Sequence, residues 1–286
     1  MTSQQVRASE TINEDGVVTE LDISHLVIED DEPVDNFQSA QQQRLLVEPL
    51  YSSEAIPRPF LADANVGLFY QLYGTPVVPD AMLSLDVQRA EDYSEKRNRS
   101  YFVWEFGNVP YVCVEVVSNQ EGNELVVDKA SQRRGKIQSK RDIYAQIGVH
   151  YYAVFDPLEY IQDSDRMNGA LLRVWTISPV GYQELTPAAG LTQTGQFVWL
   201  EGADIGLALW EGQFEEDRPQ LWLRWCDRDG TVVPTGAEGQ AIAQQQAEAE
   251  RQRADTEQQR AEAAQQRTER LAERLRALGV DPDAME

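Results

Sequence analysis

Two stretches decide the fold of this chain: Val112-Cys-Val-Glu-Val-Val-Ser118 and Lys140-Arg-Asp-Ile-Tyr-Ala-Gln-Ile-Gly-Val-His-Tyr-Tyr-Ala-Val-Phe-Asp-Pro157. The first is almost wholly apolar, as in a strand buried on both faces, yet Glu115 stands at its centre. The second opens in a helix, predicted over Asp128–Ile147, that carries Lys136, Lys140 and Tyr144 and stops at Gly148. A second apolar strand, Tyr151–Phe155, follows and ends at Asp156. A charged side chain in a strand core is costly unless it is paired or holds a metal, so Glu115 needs a partner. Upstream, Val78-Pro79-Asp80 brings a second carboxylate to the start of a strand over Met82–Val87.

Outward from this centre the pattern stays mixed. Ala62–Tyr73 has apolar residues at helical spacing, with Gly74 placed to end a helix. Glu91–Ser100 is charged and reads as a loop. Leu171–Ile177 and Tyr182–Leu185 flank Ser178-Pro179-Val180-Gly181 as a hairpin. Ile205–Trp210 and Leu221–Trp225 are further, aromatic-rich strands. Strands and helices in this order predict an α/β domain with a mixed sheet.

The two ends differ from this core. Met1–Gln41 is polar and acidic, centred on Glu29-Asp30-Asp31-Glu32, and reads mostly as disordered. Within it, Leu21–Ile28 could add an edge strand. From Ala237 the composition turns to Ala, Gln, Glu and Arg, which predicts a long helix ending before Gly279. Its seam runs through Ala247, Ala254, Ala261, Thr268 and Leu275, with Glu250 and Glu257 on the same stripe. A weak coiled coil and a solvated single helix both fit that pattern. The expected organisation is a segment 1–41, a domain 42–235 and a helical tail 236–286.

The chain has 286 residues and a net charge of −23, with a pI near 4.4. That balance argues against gripping nucleic acid over a broad surface, because phosphate binding needs clustered Lys and Arg. A local basic face is compatible with it. Cys113 and Cys226 are the only cysteines and His25 and His150 the only histidines, which excludes a disulfide framework and a histidine-rich metal site. No apolar run approaches the ~20 residues that span a bilayer, and no leader is evident. A cytoplasmic protein without a membrane partner is expected.

Hydrolysis of a phosphodiester needs a nucleophilic water and neutralised phosphoryl oxygens. Mg²⁺ held by one or two carboxylates supplies both, and a nearby lysine can orient the water and offset charge. Asp80 and Glu115 are the candidate ligands, provided that they lie on adjacent strands with side chains on one face. Glu124 or Asp128 could add a carboxylate. Each residue also has a plainer reading. Asp80 can cap a turn after Pro79, Lys140 can be a solvated helix lysine, Tyr144 can be core and Asp156 can be a turn residue. The basic cluster Lys129, Arg133, Arg134 and Lys136 can bind phosphates or only balance the acidic remainder.

The ordered set Val78-Pro79-Asp80, Glu115-Val116-Val117-Ser118, Lys140 with Tyr144, Gly148-Val149 and Asp156-Pro157 resembles the PD-(D/E)XK nuclease superfamily, and more closely the Uma-two restriction-endonuclease family as seen in cyanobacterial members. The resemblance covers roughly residues 45–230. It implies a restriction-endonuclease-like mixed sheet flanked by helices, and hydrolysis of DNA with Mg²⁺ or Mn²⁺ as cofactor. It also implies a catalytic set of Asp80, Glu115 and Lys140; the basic stretch Lys129, Arg133, Arg134 and Lys136, longer and more basic than usual for the family, is placed against the DNA backbone from its charge. One departure stands out. The superfamily lysine usually follows the strand glutamate by two residues, and here that position is Val117. Lys140, in a Lys-x-x-x-Tyr pattern, is the substitute, and Lys136 one turn earlier is its rival. A homodimer is expected for cutting both strands. The competing expectation is an inactive nuclease fold that serves as an assembly module and oligomerises through its C-terminal helix.

Overall fold

The computed structural model describes residues 11–12, 18–20, 22–26, 36–120, 123–127, 138–215 and 218–278. In chain order they form β1 (Thr11–Ile12), β2 (Val18–Glu20), α1 (Phe37–Ser52), β3 (Phe60–Asp63), β4 (Leu68–Phe69), β5 (Ala81–Leu85), β6 (Tyr101–Phe102) and α2 (Val103–Phe106). There follow β7 (Val112–Val116), α3 (Lys140–Ile147), β8 (Tyr151–Phe155), β9 (Leu172–Ser178), β10 (Gly181–Glu184), β11 (Phe197–Leu200), β12 (Ile205–Gly212), β13 (Gln220–Cys226) and α4 (Gly236–Ala277). The architecture is mixed α/β. Contacts divide it into two units, 1–235 and 236–286.

The central sheet has the order β10-β9-β8-β7-β5-β3. All neighbours are antiparallel except β7 and β8, which run parallel. A parallel pair needs a crossover connection, and α3 lies in that connection. Side chains alternate between the two faces of a strand. Val112, Val114 and Val116 of β7 join a core with Leu46 and Leu50 of α1 and with Leu207, Leu209, Leu223 and Trp225 of the antiparallel sheet β11-β12-β13. Cys113 and Val117 point the other way, into a core with Tyr144 of α3 and Tyr152 of β8. Glu115 shares the parity of Cys113 and Val117, so it lies on the α3 face of the sheet. That placement buries it completely, at 0 % exposure.

The hairpin β9–β10, the strands β5, β7 and β8 and the late strands β12 and β13 lie where the hydrophobic pattern predicts them. Two elements differ. Residues 62–73 are not a helix: β3 pairs with β5 from Phe60↔Leu85 to Asp63↔Met82, and Asn65 takes a left-handed φ of 55°. Four residues of sheet pairing outweigh a short amphipathic pattern, and the left-handed residue breaks any helix through it. The helix ahead of Gly148 begins at Lys140, with Gln138 and Ser139 outside it. Ser139 accepts from the Asp142 N–H while Asp142 accepts from the Ser139 N–H, a reciprocal capping box. The carbonyls of Asn123 and Glu124 accept from the N–H groups of Lys140 and Arg141, at 2.8 and 3.0 Å. At the other end Gly148, with φ +90°, closes the helix through its N–H to Tyr144 O. Asp128 and 129–137 lie outside the described residues.

At the N-terminal side, α1 begins at Phe37, so a helix covers 37–41. Residues 22–26 form no strand, and Leu21, Val27, Ile28 and the acidic run 29–32 lie outside the described residues. The loop 91–100 holds one 3₁₀ turn, Lys96–Asn98. None of the residues of α4 is buried, and its Ala, Gln, Glu and Arg composition favours a helix. No described helix is long and apolar enough to cross a membrane.

Candidate active site

The pairing of β5 with β7 runs Leu83↔Val112, Met82↔Cys113 and Ala81↔Val114. One more step of that register sets Asp80 opposite Glu115, and Asp80 has the parity of Met82, which belongs to the α3-side core. Asp80 thus enters the sheet beside Glu115, close enough for its charge to act on both Glu115 and Lys140. Asp80 Oδ2 accepts from the Val116 N–H at 2.7 Å, which ties the end of β7 to the entry of β5. Asp80 Oδ1 accepts from Gln43 Nε2 of α1 at 3.1 Å. These bonds of Asp80 are long-range ties to β7 and α1 and not a local turn cap after Pro79.

Helix α3 covers this pair from above. Lys140 Nζ donates to Glu115 Oε2 at 2.6 Å and to the Val78 carbonyl at 3.3 Å. The Tyr144 hydroxyl donates to Glu115 Oε1 at 2.8 Å. Residues four apart lie on one helix face, which is why Lys-x-x-x-Tyr delivers an ammonium and a phenol to the two oxygens of a single carboxylate. The Glu115 side chain is 1 % exposed and that of Lys140 is 32 % exposed, so the lysine sits at the mouth of the site and the glutamate at its floor.

A family model described as "Putative restriction endonuclease" matches residues 14–174, a span that contains Asp80, Glu115, Lys140 and Tyr144. The chain belongs to the Uma2 family. No curated protein matches it.

In this Uma2 site, burial pushes the Glu115 carboxyl up to about 8; the Lys140 charge opposes the shift and the Asp80 charge adds to it. Desolvation works to lower Lys140, but Glu115 and Asp80 outweigh it, so its pKa rises above the usual lysine value and the ammonium persists. Glu124 acts on Lys140 in the same sense. Tyr144 is driven up by burial and by Glu115, so its phenol stays a donor.

The Uma2 family implies a divalent cation. Asp80 and Glu115 offer only hard oxygen atoms. Among the described residues no group of three or more His, Cys, Asp or Glu side chains is placed to hold a metal. Two carboxylates with water completing the shell suit Mg²⁺ or Mn²⁺ and do not suit a closed zinc site. The residues fit an oxygen-bound cation.

Val117, at the usual lysine position, is buried and gives its N–H to Phe155 O. The cation that meets Glu115 comes instead from the helix, through Lys140. Lys136, the rival, and Lys129, Arg133 and Arg134 lie outside the described residues, as does Asp128. Asp156 is a turn residue: its carboxylate accepts from the N–H groups of Tyr160 and Ile161 and from Gln162 Nε2. Tyr144 is core, its ring 5.1 Å from that of Tyr152, and it also reaches Glu115 through its hydroxyl. Gln43 escaped the sequence reading, because Gln41-Gln42-Gln43 looks like a solvated run. All three are buried. Gln42 bonds twice to the Leu223 backbone, at 2.8 and 2.9 Å, while Gln43 turns to Asp80.

Tyr144→Phe leaves Glu115 Oε1 without its donor while the ring remains. The expected loss is about 1–3 kcal/mol of stability, measured by urea unfolding at neutral pH. A loss near zero would mean that the hydroxyl contributes nothing net to holding the carboxylate.

Proposed function

We propose that the protein is a divalent-cation-dependent endonuclease that hydrolyses phosphodiester bonds of DNA. The observation that carries this reading is the meeting of Asp80, Glu115 and Lys140 at one sheet end in a member of the Uma2 family. Asp80 and Glu115 are assigned as the residues that hold the cation. When bound, that ion supplies a polarised water and neutralises phosphoryl oxygens. In the reaction a water oxygen bonds to phosphorus and the opposite P–O ester bond breaks, with the proton passing to solvent. Lys140 stays protonated, so its role is to donate to the attacking water or a phosphoryl oxygen rather than to remove a proton. Tyr144 fixes the Glu115 rotamer through Oε1, and Gln43 fixes Asp80. Lys129, Arg133, Arg134 and Lys136 are assigned to the DNA backbone. Four such contacts predict a salt slope of log affinity no steeper than about −3.6 on duplex DNA.

Nicking of supercoiled plasmid at low salt, with Mg²⁺ or Mn²⁺ against chelator, tests this. Cation-dependent nicking is the expected result. Absence of nicking in both metals would leave the second reading, a cytoplasmic assembly module. That reading has its own support in α4. From Glu248 to Leu275 four successive heptads begin with an acid (Glu248, Asp255, Glu262, Glu269) and carry Arg at the sixth place (Arg253, Arg260, Arg267, Arg274). A strict seven-residue repeat with opposite charges in separate rows suits packing against another copy, as a homodimer requires.

The pH dependence follows from Glu115. A cation competes with its proton, and the carboxyl ionises only near about 8. At limiting magnesium the nicking rate therefore rises about tenfold per pH unit below that point and levels above it, and saturating metal moves the midpoint down. A rate independent of pH at limiting metal would remove Glu115 from the cation site.

A further inference from the structure

We propose that the cavity beside Asp80 receives a single unstacked nucleobase of the strand being cut. The inference rests on the nuclease reading and names how that site holds its substrate. The cavity encloses about 310 Å³ and is lined by Leu61, Met82, Arg89, Tyr93, Arg99 and Phe106, among others. Met82 follows Asp80 by two residues on one face of β5, a step of about 7 Å. The cavity wall thus begins about two residues along the chain from Asp80, with Leu61 and Asp63 of β3 completing that side. A substrate whose phosphate lies at Asp80 and Glu115 has its neighbouring base within reach of this opening.

The chemistry of the lining fits a base better than other ligands. The volume lies at the small end of ligand pockets, which run from about 300 to 1,000 Å³, so it holds a single ring system and not a peptide. The floor is apolar, from Leu61, Met82 and Phe106. The rim carries flat groups: Arg89 is fixed by Asp63 at 2.5 Å and by the Ala62 carbonyl at 3.3 Å, and the exposed Tyr93 ring adjoins it. Guanidinium and phenol planes stack on bases of any identity. A base inside a duplex cannot reach such a pocket, so the site favours single-stranded, frayed or flipped nucleotides.

The test is equilibrium binding, by anisotropy with Ca²⁺ as the cation, of two fluorescein-labelled strands of about twelve nucleotides. One is oligothymidylate and the other the same phosphodiester chain with abasic residues throughout. The wild type is expected to bind the base-bearing strand at least about tenfold more tightly. Val66→Phe, which fills the cavity from its wall, and Tyr93→Ala, in an exposed loop, should each bring that ratio toward one and leave affinity for the abasic strand unchanged. A ratio of one in the wild type, no binding of either strand, or a ratio that neither variant alters would overturn the proposal. Plasmid nicking by wild type and its loss in Glu115→Gln stand apart from these outcomes, so the pocket can fail while the nuclease reading survives.

Discussion

Glu115→Gln is expected to lower plasmid nicking by at least about 10³-fold in Mg²⁺ or Mn²⁺ while the protein stays folded. Glutamine keeps the shape of the side chain. Its carbonyl can still accept from Lys140 Nζ, and its amide can donate to the Tyr144 oxygen, so the contacts at 2.6 and 2.8 Å have neutral substitutes. The negative charge that would hold a cation is lost. The same variant carries a stability signature that a merely damaged protein would lack. The wild-type carboxyl ionises near about 8 instead of its ordinary 4.5. A group whose folded pKa is raised contributes stability that is complete below its unfolded pKa and is lost as pH rises through its folded pKa. In metal-free buffer, wild-type stability therefore declines between those two values, and the Glu115→Gln variant lacks that decline. Thermal unfolding at pH 6 and pH 9 should show the variant gaining on the wild type at the higher pH. Nicking at the wild-type rate would end the assignment of Glu115.

Lys140→Met is expected to lower nicking by about 10²–10³-fold, the usual cost of losing a positioned donor to developing charge. Methionine keeps the helix and much of the side-chain length but leaves Glu115 Oε2 without its cation. Breaking a buried pair typically costs about 3–5 kcal/mol. The Lys140 side chain is 32 % exposed, and Glu115 can take up a proton, so the loss should be smaller near neutral pH and should grow as pH rises. Urea unfolding across that pH range reads it directly. Lys140→Arg should restore the charge but little of the rate, because a wide planar guanidinium does not reproduce a point donor shared between Glu115 Oε2 and the Val78 carbonyl. If Lys140→Met nicks like wild type, the lysine role passes to another cation, with Lys136 first in line.

Much of the site's frame was legible because its signals are local. An apolar strand interrupted by one carboxylate and a Gly148 stop lie close together in the sequence around β7, α3 and β8, and each reflects a backbone or burial rule that acts over a few residues, whereas the start of α3 at Ser139 was missed. The 62–73 stretch misled for the opposite reason. Its helical spacing is a weak local preference, and the long-range pairing of β3 with β5 overrides it. The glutamine run of α1 was illegible because its polar character says nothing of burial. Gln42 and Gln43 are buried by partners 181 and 37 residues away, Leu223 and Asp80.

From the sequence alone came the mixed α/β class, the family resemblance, the isolation of Glu115 in an apolar strand and the helix lysine offered in place of Val117. The class and the isolation of Glu115 need only periodicity and the cost of burying a charge, whereas the helix lysine was offered from the resemblance. Only the tertiary structure decided that Asp80 comes beside Glu115, that Lys140 and Tyr144 take one carboxylate oxygen each, and that a cavity lies against Met82. The register between β5 and β7 and the angle of α3 over the sheet set these distances. Both are fixed by packing between segments far apart in the chain, where a shift of one residue would turn Asp80 to the opposite face.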